Sequence, residues 1–201
     1  MHFDNSQPNQ PSSKLLGINH FLSAGVHLGH SVQEWFPGNA PFIHGERHGM
    51  HVLDLNNTYA SFQRSLKFLK GVSSAGGSVC FIATDPDIAR LLKVCLGESP
   101  KNVGLVTRWF PGTLTNWSSI FGFVARAKED PDLVSFRKSP KNFRRWQALK
   151  GLQNLTSCPD VLVLLHAKDH TVAIQEASQI KIPSIGIVDS NANGSSISYP
   201  I

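Results

Sequence analysis

The sequence predicts a doubly wound α/β domain, a mainly parallel sheet with helices on both faces, on three observations. Short runs rich in β-formers alternate with helical stretches, the runs are apolar on both faces, and strand passes to helix through tight polar turns. The first such helix covers Asn56 to Ser74, where Tyr59, Phe62, Leu66, Leu69 and Val72 form one stripe and Gln63, Arg64, Lys67 and Lys70 lie opposite. Gly76-Gly77 stops it. A strand follows at Ser78 to Thr84, and Asp85-Pro86-Asp87 then opens a second helix with a capping acid and a first-turn proline. Further strands are expected at Val103 to Val106, Val161 to Leu165 and Ser184 to Val188, with a helix from Asp169 to about Gln179. Between the second and third strands, two helices are expected at about Asn116 to Ala127 and Lys141 to Leu149. On the latter, the spacing puts Lys141, Arg144 and Arg145 on one face and Phe143 and Trp146 on the other.

The chain has 201 residues, enough for one domain with a real core, and is 41% hydrophobic, which argues against disorder. Residues 1 to 13 are polar and read as a disordered or partner-ordered arm, leaving 14 to 201 as a single α/β domain with a basic helical hairpin inserted at about 116 to 157. No apolar run approaches the roughly 20 residues of a membrane span. That arm has no secretory or transit character. Cys80, Cys95 and Cys158 are odd in number and widely spaced, which points to small buried hydrophobes in a reducing compartment rather than disulfides or a zinc site.

Net charge is +5, and its location is the informative point. Between Arg126 and Lys150 stand eight basic residues (Arg126, Lys128, Arg137, Lys138, Lys141, Arg144, Arg145 and Lys150) against three acidic ones, while the remainder of the chain balances. A neutral body with one cationic segment fits a polyanion partner, nucleic acid first.

Other chemistry finds less support. In an open α/β sheet ligands bind beyond the carboxyl ends of the strands, here near Asp85, Arg108, His166, Asp169 and Asp189. Asp85 and Asp169 are accounted for as helix caps and Asp189 as a turn former, so catalysis there is the minor alternative: a small enzyme using His166, Asp189 and His27. No GxGxxG, GxxxxGKS or GxSxG motif occurs. His27 and His30 lack the further ligands that zinc requires, and no cofactor is expected. The segment Arg108 to Trp117 sets three aromatics around a Pro-Gly turn. Its aromatics either plug the sheet end while Thr115 or Asn116 caps the next helix, or form a rigid platform presenting Arg108 to a phosphate or a neighbouring protein.

Seven segments in order resemble the bacterial-type ribosomal small-subunit protein S two family. They are Ala24 to His30, Trp35 with Pro37, Pro41-Phe42-Ile43, Arg108 to Trp117, Cys158-Pro159-Asp160, Glu176-Ala177 before Ile182-Pro183, and Val188 to Asn191. The resemblance covers about residues 20 to 200. It implies a flavodoxin-like parallel sheet with a protruding helical hairpin, a structural role on the small ribosomal subunit without catalysis, and contacts to small-subunit rRNA and neighbouring ribosomal proteins. It also gives His27, His30, Trp109, Asn116 and Trp117 packing or RNA-facing roles as family-motif residues.

This chain departs from the family in three ways. The stretch from Asn116 to Pro159 is shorter, so the hairpin should be stunted; Pro111 stands where the family has glycine; and the chain stops at Ile201 where the family continues into a helix. A separate polypeptide is expected over the face that helix would cover. These departures favour a mitochondrial ribosome over a bacterial cytoplasmic or plastid one. Arg108 and the eight basic residues of the hairpin are the expected rRNA contacts, neutralising phosphates with little base specificity. Phe136, Phe143 and Trp146 either stack on unpaired bases or anchor their helix. A free regulatory RNA-binding module is a further alternative.

Overall fold

The computed structural model describes residues 16–97, 102–129 and 139–201. Its elements, in chain order, are α1 (Ile18–Ser23), β1 (Leu28–Ser31), β2 (Ile43–Arg47), β3 (Met50–Leu53), α2 (Leu55–Ser74), β4 (Val79–Ile82), α3 (Pro86–Leu96), β5 (Val103–Val106), α4 (Trp117–Glu129), α5 (Pro140–Leu149), β6 (Val161–Leu164), α6 (Thr171–Gln179), β7 (Ser184–Gly186) and β8 (Tyr199–Pro200).

The larger sheet runs β5-β4-β6-β7-β8, every pair parallel. Counted from β4 this is the 2-1-3-4-5 order of flavodoxin-like folds. Side chains alternate across it as the period of two requires. Cys80, Ile82, Leu162 and Leu164 face the core shared with α4, α5 and α6, while Val79, Val161, Val163 and Ile185 face Phe68, Leu69 and Val72 of α2. All four residues of β6, the central strand, are buried. Its near-continuous hydrophobicity is therefore two-sided burial.

The second sheet was not anticipated: β1-β3-β2, antiparallel, across residues 28–53. Its hairpin closes between the paired residues Arg47 and Met50, with His48 at φ 52° and Gly49 at φ 74°. Two central residues at positive φ give the loop whose twist matches that of the strands, and glycine is suited to its second position. α1 fastens to α2 through Phe21, which lies edge-on to Tyr59 and Phe62 at 5.8 and 5.3 Å.

Several local expectations are corrected. Asp169 caps no helix: it sits within a 3-10 turn, Ala167–His170, and takes the Nδ1 of His166 at 2.8 Å. By contrast Asp85 does cap α3, accepting from the amides of Asp87 and Ile88 at 2.7 and 3.3 Å. Arg145 does not share the outward face of Lys141 and Arg144, because its guanidinium lies over the Phe123 ring at 4.9 Å from the centroid. Trp146 is buried in the core and is an anchor, not a base-stacking surface. The thiols are free, but of the three cysteines expected to be buried only Cys80 is: Cys158 is partly buried and Cys95, on α3, is exposed. Burial pushes the pKa of Cys80 up to about 12, which leaves it unreactive.

Candidate functional site

α5 begins at Ser139-Pro140, proline taking the first helical position where its missing N–H costs nothing. Trp146, Ala148 and Leu149 are buried, Trp146 and Leu149 in the core shared with the sheet. Lys141, Arg144 and Gln147 recur every three residues on the exposed side, and exposed Lys150 follows at the same interval as the C-cap. That stripe spans about 14 Å at helical rise. Exposed Arg126 and Lys128 lie in the last turn of α4, where the carbonyl ends favour cations, and Arg126 Nε donates to the Gly122 carbonyl at 3.2 Å. Arg137 and Lys138, with Phe136, fall outside the described residues.

The loop after β5 is held from within. Glu176, on α6 and only 6% exposed, turns its carboxylate under residues 109–115. Oε1 accepts from Trp109 Nε1 at 3.3 Å and the Gly112 amide at 2.7 Å; Oε2 accepts from the amides of Leu114 at 2.9 Å and Thr115 at 3.4 Å. Gly112 sits at φ 87°, a conformation glycine adopts without strain. Arg108 projects at the surface with its guanidinium 5.7 Å from the Phe110 ring centroid. Asn116 is exposed, and half-buried Trp117 stacks on Phe121 at 6.1 Å. Sequence reasoning passed over Glu176 as a binding group, since backbone amides some sixty residues away leave no side-chain signature.

The two ends of the chain's motif series meet at a second clamp. Ser190, fully buried, accepts the His30 amide on its hydroxyl at 2.8 Å, while its carbonyl accepts the Phe36 amide at 2.8 Å. His30 Nδ1 lies 2.9 Å from Asp189 Oδ2. Buried Asn39 directs Nδ2 at the carbonyls of Asp189, Ser190 and Ala192, at 3.1, 3.2 and 2.8 Å. Gly29 permits this approach, because a Cβ there would come within 3.0 Å of Ser190 Oγ. The small sheet is thereby tied to the loop after β7.

Asn39→Asp is expected to cost about 3 kcal/mol by facing a carboxylate toward three carbonyls, and Asn39→Ala about 1–2 kcal/mol by orphaning them. Denaturant unfolding measures the totals. Hydrogen exchange should quicken in β1 and β3 before β4 and β6; uniform quickening would contradict the clamp.

Of the groups considered for catalysis, His166 and Asp169 pair with each other, while Asp189 pairs with His30. His170 Nε2 lies 3.5 Å from Thr84 Oγ1, its pKa lowered chiefly by burial. His27 places a buried Nδ1 without a hydrogen-bond partner among the described residues, and its carbonyl accepts the Leu53 amide. No three His, Cys, Asp or Glu among the described residues are arranged to hold a metal.

Comparison with known proteins places this architecture. The chain matches the family Ribosomal protein S2 over residues 21–201. It is 32% identical over 191 residues to small ribosomal subunit protein uS2 of Brucella suis (strain ATCC 23445 / NCTC 10510), covering 90% of this chain and 74% of that one. It is likewise 32% identical over 198 residues to small ribosomal subunit protein uS2 of Granulibacter bethesdensis, covering 92% and 75%. With the flavodoxin-like sheet, the Glu176-held loop and the His30–Ser190 clamp all lying inside the matched span, the chain belongs to the ribosomal protein S2 family.

Proposed function

We propose that this protein is a structural constituent of the small ribosomal subunit that holds small-subunit rRNA and neighbouring ribosomal proteins in register during translation, and that it performs no reaction of its own. The observation that carries the RNA part is the exposed stripe Lys141, Arg144 and Lys150, with Arg126 and Lys128 on α4, mounted on helices whose other faces are buried in the core. Rigid helices present cations to phosphates, release counterions and read little sequence. Arg108, Arg137 and Lys138 extend the proposed contact set, whereas Arg145 acts through its packing on Phe123. His30, Trp109 and Trp117 serve by packing, each having a partner within the domain. Neighbouring proteins are suited to the exposed apolar residues of α3, Leu91 and Val94. We assign the protein to a mitochondrial ribosome on the short span between α4 and β6; cosedimentation with the organellar small subunit checks this, and recovery with cytosolic subunits would refute it.

The test is the pair Lys141→Glu and Arg144→Glu. Binding to transcribed small-subunit rRNA should weaken at least about tenfold, and the slope of log affinity against log salt should fall by about two. Circular dichroism should be unchanged, because both side chains are exposed. Wild-type affinity and slope in the double variant would end the assignment.

A further inference from the structure

A second cationic surface lies outside the α5 stripe. α3 buries only Ala89, so it stands off the sheet edge. Between it and the 3-10 turn Lys150–Leu152, along β5, runs an open groove of about 600 Å³. β5 is the outermost strand, paired on one side with β4. Arg90 and Lys93, one turn apart on α3, line one wall, and Lys150 lines the other. Thr107, Gln147 and Asn154 add hydroxyl and amide donors beside apolar Leu96, Val103 and Leu105, and no carboxylate is among the described lining residues. The ion pair recorded for these cations among the described residues joins Arg90 Nη1 to Asp87 Oδ1 at 3.4 Å, with both side chains more than three-quarters exposed. So exposed a pair separates readily for a better anion.

We infer that this groove is a second rRNA-backbone site, gripping phosphates with Arg90, Lys93 and Lys150 and sugar or phosphate oxygens with Thr107, Gln147 and Asn154. The inference rests on the rRNA-binding role proposed above and adds a surface that the chain's charge count did not expose, because Arg90 and Lys93 lie outside the basic segment. Three points favour a polynucleotide. The described lining of the groove carries three cations and no acid, so it complements a polyanion. Its polar groups are donors suited to phosphate and 2′-hydroxyl oxygens. Lys150 belongs to both surfaces, so one strand can pass from the α5 stripe into the groove without leaving cationic ground.

The experiment uses the full chain and transcribed small-subunit rRNA, titrated from about 50 to about 200 mM salt, a range over which phosphate contacts separate clearly. Two double variants are compared: Arg90→Glu with Lys93→Glu in the groove, and Lys141→Glu with Arg144→Glu on α5. Arg90→Gln with Lys93→Gln serves as the milder groove variant. The groove reversal is expected to weaken binding at least about tenfold and to lower the salt slope by about two, with the glutamine pair between it and wild type. Hydroxyl-radical footprints should lose protection at nucleotides different from those the α5 variant exposes. Wild-type affinity in both groove variants, alongside weakening in the α5 variant, would overturn the groove and leave the rRNA-binding role standing. No salt-dependent binding by the wild type would overturn both. Loss of crosslinks to a neighbouring protein at unchanged RNA affinity would make the groove a protein contact and also overturn the inference.

Discussion

Glu176→Ala is expected to destabilise the protein by about 4 kcal/mol, lowering its melting temperature by about 10 °C. The side chain is almost fully buried and its two oxygens accept four N–H groups, from Trp109, Gly112, Leu114 and Thr115. Alanine takes the acceptor from all four donors, the Leu114 amide being buried, and bonds to a charged acceptor are about twice as strong as neutral ones. Glu176→Gln discriminates between this account and simple space filling. Each oxygen already serves two donors, so either amide orientation points NH₂ hydrogens at two N–H groups. Glutamine should therefore cost nearly as much as alanine, and aspartate, one methylene short, should not rescue it. Thermal and denaturant unfolding give the totals, and hydrogen exchange at the Gly112, Leu114 and Thr115 amides reports release of the loop. A glutamine variant as stable as wild type would sink the claim.

The consequence reaches function through position. The carboxylate fixes the 109–115 loop against α6, and this loop connects Arg108 at the end of β5 to α4, whose last turn carries Arg126 and Lys128. Loosening it should reduce rRNA affinity without removing any cation, chiefly by adding an ordering cost to binding.

How much of this was legible depends on what kind of signal each part leaves. β4, β5, β6 and β7 announce themselves because two-sided burial demands apolar runs, and turn residues bound them. β1, β2 and β3 are four or five residues long and rich in His and Gly, and β2 is exposed along most of its length, so no apolar alternation marks them. The one available sign was His48-Gly49 between two short runs. The cationic stripe of α5 was readable from charge and period together, but Arg145 was not. It follows Arg144 by 100° and precedes the buried Trp146 by the same angle, and only the position of Phe123 decides which way it turns. Asn39 and Glu176 were silent because their partners are backbone groups distant in sequence, which no residue type records.

Gly151→Ala should be comparably severe, for a reason of pure geometry. The amides of Val79 and Ala83 donate to the carbonyls of Asn102 and Val106, so the intervening odd-numbered carbonyls of β5 face the other way, toward the open edge. Gly151 lies there: a Cβ would fall 1.6 Å from the Leu105 carbonyl oxygen and 2.6 Å from its carbon. Both atoms are backbone, in a strand held by its parallel register with β4, so neither can rotate aside. Overpacking among side chains costs about 1–3 kcal/mol, and a clash with fixed backbone should exceed this, at about 4 kcal/mol or failure to accumulate folded protein. Gly104→Ala provides the graded control. Its Cβ would meet Leu155 Cδ1 at 3.0 Å and Leu152 Cδ2 at 3.2 Å, side-chain ends with some freedom to move, so about 1 kcal/mol is expected. Because the same turn carries Lys150, a folded Gly151→Ala protein should also lose rRNA affinity, whereas Gly104→Ala should keep it. Equal stability of the two variants would show that the turn rides on β5 more loosely than these distances require.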